Sequence, residues 1–332
     1  MLTVTDSLPE NILSLTAPEL HKVLPGPTLL HLRGRKEPAV FVCVLLHGNE
    51  HTGWDAARKL LSEYSGKELP RSLSIFIGNV QAARYNQRFL EGQPDFNRIW
   101  NGGNLPEQRM MQQIRDEMEG RGVYISVDVH NNTGKNPHYA CVNKTQNEFL
   151  QVATFFSRTV VYFIRPEGAQ SMTFSRLCPS VTIECGTSGE TSGTEHACEF
   201  IKACLHLSEI PTHAVIDHDL DLYHTVAVVK IPGKYSFGFD QAEKDLQFDR
   251  KIEYFNFREI AEGTVIGSVR DGIEQPLDIR NEQGTEVSND YFSVNNRKIR
   301  SRKRVIPAMI TLNTDIIRKD CLCYLMERYQ LP

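Results

Sequence analysis

The sequence places a histidine and a glutamate three residues apart at the end of an apolar run. The run Val40–Leu46 has the composition of a buried strand, and His47 and Glu50 follow it. In open α/β sheets, ligands gather in the crevice beyond the carboxyl ends of the strands. A turn at such an end can aim an imidazole and a carboxylate at one point, as two ligands of a metal ion.

The His-x-x-Glu spacing is a weak signal by itself because the chain contains it three times. The pairs His196/Glu199 and His206/Glu209 fall inside a helical pattern, where such pairs usually lie on one exposed face. Only the pair at 47 and 50 follows a buried strand directly. Position therefore distinguishes it from the other two.

A second strand-like run, Val123–Val129, also ends in polar residues, Asp128 and His130. With His47 and Glu50, His130 completes two histidines and one carboxylate, a ligand set of catalytic zinc sites. For each histidine alone, a hydrogen-bonded core residue is the simpler interpretation, but two such strand ends favour one zinc ion per chain. Asp128 shares a strand face with His130, so we expect it to lie near the site.

A third apolar run, Val181–Glu184, ends in a glutamate just before a Gly-rich turn. A buried carboxylate is costly unless it has a partner or a task. Beside a zinc site, Glu184 could accept a proton from water and later give it to a leaving amine, and a raised pKa would suit both steps. The alternative is a structural salt bridge with an arginine.

The segment 86–103 carries two arginines, Arg88 and Arg98, with Asn97 beside the second. Planar guanidinium groups bind carboxylates through two-point contacts. Two arginines near a zinc site therefore indicate a substrate with one or more carboxylates. Surface solvation is the alternative for either arginine alone.

Composition limits the class of protein. The chain has 332 residues, 40% hydrophobic and 23% charged, with a net charge of −4. These values are typical of a soluble globular enzyme and give no indication of a nucleic-acid or membrane-surface partner. The longest apolar run is too short to span a bilayer, and residues 1–10 lack the features of a signal peptide. The eight cysteines form no CxxC motif, so we expect a reduced, cytoplasmic location.

Strand-like and helix-like segments alternate over the first two-thirds of the chain, which predicts an α/β fold with a mostly parallel sheet covered on both faces. The predicted strands are Val40–Leu46, Leu73–Ile77, Val123–Val129, Thr159–Ile164 and Val181–Glu184. We place a catalytic domain at 1–215 and a small β-rich C-terminal domain at 216–332, closed by an amphipathic helix near Asp315–Tyr329. The basic run 297–304 is interpreted as a solvated strand edge, with a nucleic-acid patch or targeting signal as the alternative.

Four short motifs together resemble the succinylglutamate desuccinylase/aspartoacylase family, a branch of the zinc carboxypeptidase-like fold. They are HGNE at 47–50, DFNRIW at 95–100, DVHNNTG at 128–134 and IECG at 183–186. The stretch NFREIAEGTVIG at 256–267 is similar to the small C-terminal domain of desuccinylases. The resemblance implies a mixed, mostly parallel sheet with helices on both faces.

The resemblance also implies roles for individual residues. His47, Glu50 and His130 would bind zinc, and Glu184 would act as the general base and acid. The remaining positions would bind the substrate or polarise its scissile carbonyl: Asn97 and Arg98 at the carboxylate, Arg88 at the carbonyl, and Asn131 and Arg176 along the pocket.

These observations predict a zinc-dependent amidohydrolase that removes the acyl group from a small carboxylated N-acyl amino acid. N-succinylglutamate is the leading substrate, followed by N-acetylaspartate. Two alternatives stay open: a zinc carboxypeptidase acting on peptides, and a non-catalytic zinc-containing protein that binds a carboxylated metabolite. The acyl group, the amino acid and the oligomeric state, including a homo-oligomer, are also left open.

Overall fold

The computed structural model describes residues 1–240 and 243–331. Contacts divide the chain into two compact units, Met1–Asn131 with His138–Leu222 and Asn132–Pro137 with Tyr223–Pro332. The second unit thus combines the chain from Tyr223 onward with the short segment 132–137. In the described residues, no helix has the length and apolar character needed to cross a membrane.

The first unit is built on a sheet whose strands run in the order β1-β2-β4-β3-β5-β8-β6-β7. These strands are β1 (Thr3–Thr5), β2 (Thr28–Leu32), β3 (Ala39–Val44), β4 (Leu73–Ile77), β5 (Val123–Asn132), β6 (Tyr139–Val142), β7 (Thr159–Tyr162) and β8 (Ser180–Thr187). The pairs β1–β2, β3–β4, β3–β5 and β6–β7 are parallel, whereas β2–β4 and β6–β8 are antiparallel. The predicted mixed, mostly parallel sheet is confirmed.

Strand β3 shows why continuous apolar runs predict central strands. All six of its residues are buried. Phe41 and Cys43 belong to the core cluster that includes Met111 and Ile114 of a covering helix, whereas Val44 faces the opposite way and contacts Gly53. Successive side chains of a strand point to opposite faces, so a strand covered by helices on both sides must be apolar throughout.

The helices of the first unit cover both faces of this sheet. They are α1 (Thr52–Glu63), α2 (Val80–Arg84), α3 (Pro106–Arg121), α4 (Asn147–Phe156), α5 (Gln170–Phe174) and α6 (Thr191–His206), with 3₁₀ turns at Ile12–Ser14, Ala17–Lys22 and Asp217–Asp219. Helix α3 buries Met111, Ile114 and Met118 at the spacing of one helical face. Helices α1 and α6 pack against each other.

The second unit is rich in strands, as predicted. It contains β9 (Asp221–Lys230), β10 (Phe237–Phe239), β11 (Leu246–Phe248), β12 (Val265–Val269), β13 (Asp278–Asn281), β14 (Phe292–Asn295), β15 (Lys298–Ser301), β16 (Ile306–Ala308) and β17 (Cys323–Arg328), with the short helices α7 (Ser288–Tyr291) and α8 (Thr314–Lys319) and a 3₁₀ turn at Arg250–Phe255. One sheet has the order β10-β11-β12-β15-β14, and β9 pairs with β13 and β17 in another.

The predicted helix near Asp315–Tyr329 is wrong in its second half. Helix α8 ends at Lys319, and the chain continues as β17, which pairs with β9 on one side and β16 on the other. A strand paired on both sides is a nearly continuous apolar run, here Leu322–Met326. Such a short run cannot be distinguished from a buried helix by its periodicity.

The basic run 297–304 does not lie on a sheet edge, so that interpretation is corrected. Strand β15 within it pairs with β12 and β14. The basic side chains remain at the surface, where Arg297, Lys303 and Arg304 each lie within ion-pair distance of an acidic residue. The run is therefore solvated and partly neutralised.

Candidate active site

The turn after β3 places His47 and Glu50. The strand ends because Leu45 adopts a left-handed conformation with φ of 57°, which is unusual for a bulky residue, and its carbonyl accepts a hydrogen bond from the N–H of Asn79 at 2.6 Å. Gly48 then passes so close to α2 that a Cβ atom would lie 2.3 Å from the backbone nitrogen of Ala83. Only glycine fits this approach, which turns the chain between the two functional side chains.

His47, Glu50 and His130 come together in the fold. Nδ1 of His47 lies 2.7 Å from Oε1 of Glu50, and Nδ1 of His130 lies 2.7 Å from Oε2. The three side chains are 3%, 5% and 3% exposed, and their candidate ligand atoms lie within 4.8 Å of one another. They form a group that could hold a metal ion.

The outer nitrogen of each imidazole donates to a further carboxylate. Nε2 of His47 lies 2.9 Å from Oδ1 of Asp95, and Nε2 of His130 lies 2.8 Å from Oδ2 of Asp128. Metal-binding histidines commonly donate their other N–H group to a carboxylate, which fixes the tautomer and the ring orientation. Asp128 lies where its strand position predicts, whereas the spacing of residues in the sequence predicts no role for Asp95.

The charges of this cluster are consistent with a divalent cation. All four ring nitrogens of the two imidazoles face carboxylate oxygens, which only accept hydrogen bonds. Three carboxylates, Glu50, Asp95 and Asp128, surround the two imidazoles, and a divalent cation held by His47, Glu50 and His130 would offset part of their negative charge. Two imidazoles and one carboxylate also match the donor set of zinc sites that keep an open position.

Burial and neighbouring charges act in opposite directions on these groups. Burial favours the protonated form of Glu50, but His47 and His130 outweigh it and hold the pKa of this carboxyl well below its usual range. Burial likewise opposes the charged form of His130, but Asp128 and Glu50 raise its pKa well above the ordinary value. The protein thus stabilises positive charge at this point.

Arg88 is buried beside the cluster. Its Nε and Nη2 atoms lie 3.3 Å and 3.0 Å from Oδ2 of Asp95, and Nη1 lies 3.6 Å from Oε1 of Glu50. Burial alone would raise the pKa of Asp95, but His47 and Arg88 hold it well below its usual range. Asp95 therefore connects the arginine to the outer side of a candidate metal ligand. Its position at the start of the DFNRIW motif was the signal in the sequence.

The amide of Asn97 has a defined orientation. Its Oδ1 accepts the N–H of Gln170 at 2.9 Å, so Nδ2 points towards Nε2 of His130 at 3.1 Å. That Nε2 already donates to Asp128, so it does not accept from Nδ2. Asn97 therefore presents a donor group at the cluster. Arg98, half-buried, donates from Nη1 to the Asn97 carbonyl at 2.9 Å.

Asn131 forms hydrogen bonds that link three segments around the cluster. Its Nδ2 donates to Oγ1 of Thr52 at 2.9 Å and to the carbonyl of Gly186 at 3.0 Å, and its Oδ1 accepts the N–H of Thr52 at 3.2 Å. Its own N–H donates to Oε2 of Glu50 at 3.2 Å. Both polar atoms of the side chain thus have protein partners, and they join the start of α1 to the end of β8.

Glu184 lies inside β8 rather than at its end, since the strand continues to Thr187. It stands opposite Tyr139 of β6 and is 8% exposed. Burial raises the pKa of Glu184 to about 7, against the opposing influence of the positive charge at His130. The carboxyl group can therefore exchange a proton near neutral pH, as a general base and acid requires.

Arg176, His196 and His206 complete the residues singled out in the sequence. Arg176 is exposed and follows α5. Nδ1 of His196 bonds to Nδ1 of His138 at 2.9 Å, and Nε2 of His206 bonds to the hydroxyl of Tyr64 at 2.8 Å. Both histidines thus have partners of their own. The pair His196/Glu199 lies inside α6 as predicted, whereas α6 ends at His206, so the prediction that Glu209 is helical is wrong.

A second group of potential ligand atoms combines Glu63, Cys198 and Glu199. Lys202 lies 2.7 Å from a carboxylate oxygen of each glutamate. The ammonium group already supplies the positive charge that these two carboxylates need. Burial also raises the pKa of Cys198 to about 11, which disfavours the thiolate that metals bind.

Comparison with known proteins agrees with this architecture. The sequence profile of the succinylglutamate desuccinylase/aspartoacylase catalytic domain matches residues 36–209. The chain belongs to this family, whose members include N-acyl amino acid deacylases. In sequence, the chain matches no curated protein.

Solved structures show the same fold at low sequence identity. Succinylglutamate desuccinylase from Chromobacterium violaceum superposes with a TM-score of 0.56 at 15% identity, covering 90% of this chain and 87% of that one. The succinylglutamate desuccinylase/aspartoacylase from Rhodobacter sphaeroides gives 0.58 at 14% identity, covering 90% and 88%. Murine aminoacylase 3 gives 0.58 at 15% identity, covering 89% and 97%. The likeness extends over most of the chain.

Proposed function

We propose that the protein is a zinc-dependent amidohydrolase that removes the acyl group from N-acyl amino acids. The convergence of His47 and His130 on the carboxylate of Glu50 is the observation that carries the proposal. Membership of the family and the raised pKa of Glu184 support it. The location is proposed to be cytoplasmic, with one zinc ion per chain.

The three converging side chains would hold the zinc ion, and Asp95 and Asp128 would orient the two imidazoles. Bound zinc supplies Lewis-acid polarisation of the amide carbonyl and acidification of the attacking water. The carboxylates behind the histidines would fix the tautomers that leave Nδ1 free to bind metal.

Glu184 would move the proton. As a carboxylate it accepts the proton of the attacking water, and as a carboxylic acid it gives that proton to the nitrogen of the departing amino acid. A pKa of about 7 leaves both forms accessible at neutral pH. General acid–base groups are most effective when their pKa lies near the working pH.

Arg88, Asn97 and Arg98 would bind the substrate. The guanidinium group of Arg88 is fixed by Asp95 and would stabilise negative charge on the carbonyl oxygen during attack. Nδ2 of Asn97 and the half-buried guanidinium of Arg98 would donate to the substrate carboxylate. Asn131 would hold the start of α1 and the end of β8 in place around the pocket. Arg176 would supply a further positive charge at the pocket.

N-succinylglutamate is the proposed substrate, followed by N-acetylaspartate and other N-acetylated amino acids. Two of the relatives described above are succinylglutamate desuccinylases by name, and a third is an aminoacylase. The positive charges proposed for Arg98 and Arg176 at the pocket favour a dicarboxylic amino acid over an apolar one.

Turnover by zinc-loaded protein tests the proposal. The panel would contain N-succinylglutamate, N-acetylaspartate, an N-acetylated apolar amino acid and a peptide with a free C-terminus. We expect amine release from an N-acyl dicarboxylic amino acid and loss of activity on chelation. If the peptide were the one substrate of the panel that is cleaved, a carboxypeptidase would be supported. Tight binding of an N-acyl amino acid without turnover would support a metabolite-binding protein.

A further inference from the structure

The turn that precedes helix α5 contacts the backbone of the proposed substrate-binding segment. Gly168 has a φ of 80°, and a Cβ atom on it would lie 2.3 Å from the carbonyl oxygen of Arg98. The carbonyl of Gly168 accepts the N–H of Trp100 at 3.0 Å. A glycine is required for this approach, because another residue would collide with the backbone and adopt a strained φ. The segment with Asn97 and Arg98 thus rests directly on this turn.

Gln170 is the residue of this turn that contacts the Asn97 side chain. It is fully buried and is the first residue of α5. The first N–H groups of a helix have no partner within the helix, and the N–H of Gln170 donates to Oδ1 of Asn97 at 2.9 Å. This contact determines which end of the Asn97 amide is the acceptor end. Nδ2 is directed towards the cluster as a consequence.

The side chain of Gln170 anchors that N–H group. Nε2 of Gln170 lies 2.7 Å from Oγ of Ser126, which is also fully buried. Ser126 lies on β5 two residues before Asp128 and four before His130, so the three side chains share one strand face. Gln170 therefore connects the strand that carries a candidate metal ligand to the amide of Asn97.

We propose that Gln170 is a positioning residue for substrate recognition, which orients Asn97 so that Nδ2 meets the substrate carboxylate. The inference rests on the proposed function, because it needs a substrate with a carboxylate. An Asn97 amide turned by 180° would present Oδ1 to that carboxylate, an acceptor facing an acceptor. Two contacts hold the favourable orientation, one from the Gln170 backbone to Asn97 and one from the Gln170 side chain to Ser126.

The variant Gln170→Met removes the anchor but keeps the length and volume of the side chain. We expect KM for an N-acyl amino acid to rise by about 5- to 30-fold, as for the loss of one contact to a charged group. We expect kcat and zinc content to change little, because the hydrogen bonds of Gln170 go to Asn97 and Ser126 rather than to a candidate ligand. Ser126→Ala removes the same contact from the other side and should shift KM in the same direction.

Gln151→Met is the matched control. Gln151 lies in helix α4 and is also buried. Its Nε2 donates to the carbonyl of His213 at 2.9 Å, and neither residue belongs to the candidate site. The Gln151→Met variant should lower the melting temperature about as much as Gln170→Met does, and it should leave KM unchanged. A KM that rises equally in both variants would mean a general loss of stability and would overturn the inference.

A double-mutant comparison separates positioning from other effects. In an Asn97→Ala background, Gln170→Met should raise KM no further, because there is no amide left to orient. A full additional effect in that background would overturn the inference. If Asn97→Ala raises KM but Gln170→Met and Ser126→Ala do not, only the inference fails. If Asn97→Ala leaves KM unchanged, the proposed carboxylate contact itself is wrong, and the inference is overturned with it.

Discussion

Nδ1 of His130 lies 2.7 Å from Oε2 of Glu50, although the two residues are 80 positions apart in the chain. The parallel pairing of β3 with β5 produces this contact, because Cys43 and Asp128 are register partners and both strands point the same way. His47 and Glu50, which follow β3, therefore meet His130, which lies near the carboxyl end of β5, at one edge of the sheet. The order of apolar runs and polar residues in the sequence is therefore enough to predict the meeting of His47, Glu50 and His130.

The first prediction concerns the metal. We expect purified protein to contain about one zinc ion per chain, as a two-histidine, one-carboxylate site binds. His130→Ala should lose most of it, because two remaining ligands form a much weaker site. Metal analysis of the purified variant, after dialysis against metal-free buffer, measures the loss.

His196→Ala and His206→Ala are the controls for this measurement. Both histidines belong to His-x-x-Glu pairs, but they bond to His138 and Tyr64 respectively. Both variants should keep the full zinc content. The opposite ranking, with zinc lost from His196→Ala and kept by His130→Ala, would contradict the assignment.

The second prediction concerns Asp95. Asp95→Asn keeps the shape of the side chain but removes the negative charge that faces Nε2 of His47. Loss of a partner behind a metal ligand typically weakens metal affinity by about 10- to 100-fold. Competition with a chromogenic chelator measures this change. Asp116→Asn, which removes an exposed carboxylate paired with Arg115, should not change the affinity; an equal affinity in both variants would argue against the role of Asp95.

The fold and the site differ in how well the sequence predicts them. The five predicted strands of the first unit are all present, because each contains a run of mostly apolar, buried residues. Strand β17 has the same character, but a helical segment directly precedes it, and the apolar pattern of the two elements together fits helical spacing. Local pattern does not show that β9 and β16 flank this segment.

The side chains that orient other site residues are harder to predict from the sequence. Asp95 and Gln170 both lie outside the strand ends, in segments without periodicity, and their partners His47 and Asn97 are 48 and 73 positions away. Only the three-dimensional fold brings these pairs together. The sequence therefore predicts the ligands that follow strands and misses the side chains that orient them.

The third prediction separates binding from chemistry. Glu184→Gln keeps the shape of the side chain but cannot accept a proton. We expect zinc content to stay unchanged and kcat to fall by about 10²- to 10⁴-fold, the range for loss of a general base. Glu195→Gln, an exposed change on α6, should retain the wild-type rate. If Glu184→Gln kept more than about a tenth of the wild-type rate, a structural role for Glu184 would be the better explanation.

The fourth prediction follows from the pKa of Glu184, which burial raises to about 7. The ionised carboxylate is the base, so kcat/KM should increase with pH up to about 7 and then become constant on the acidic side of the pH profile. Well below the pKa, the ionised fraction falls tenfold for each pH unit, and kcat/KM should fall in parallel. A pH profile of zinc-loaded protein measures this limb. A rate that stays constant down to pH 5 would show that a group with an ordinary carboxyl pKa is the base.

The last prediction tests the class of substrate through Arg98. Arg98→Lys keeps the positive charge but loses the planar pair of donors that a carboxylate needs, so it should not act as a conservative change. We expect kcat/KM for an N-acyl amino acid to fall by about 10- to 1000-fold, in line with the loss of one or two charge-assisted hydrogen bonds. Zinc content should be unchanged, because Arg98 is not a candidate ligand.

A change in the substrate makes this test sharper. Replacing the α-carboxylate by a neutral amide should strongly reduce turnover by the wild-type protein and have little further effect on Arg98→Lys, because the contact is already lost. Such non-additivity is expected only when the two altered groups touch each other. Additive losses would show that Arg98 does not contact the carboxylate. The contact would then have to come from Arg88, whose guanidinium is already held by Asp95, or from the exposed Arg176.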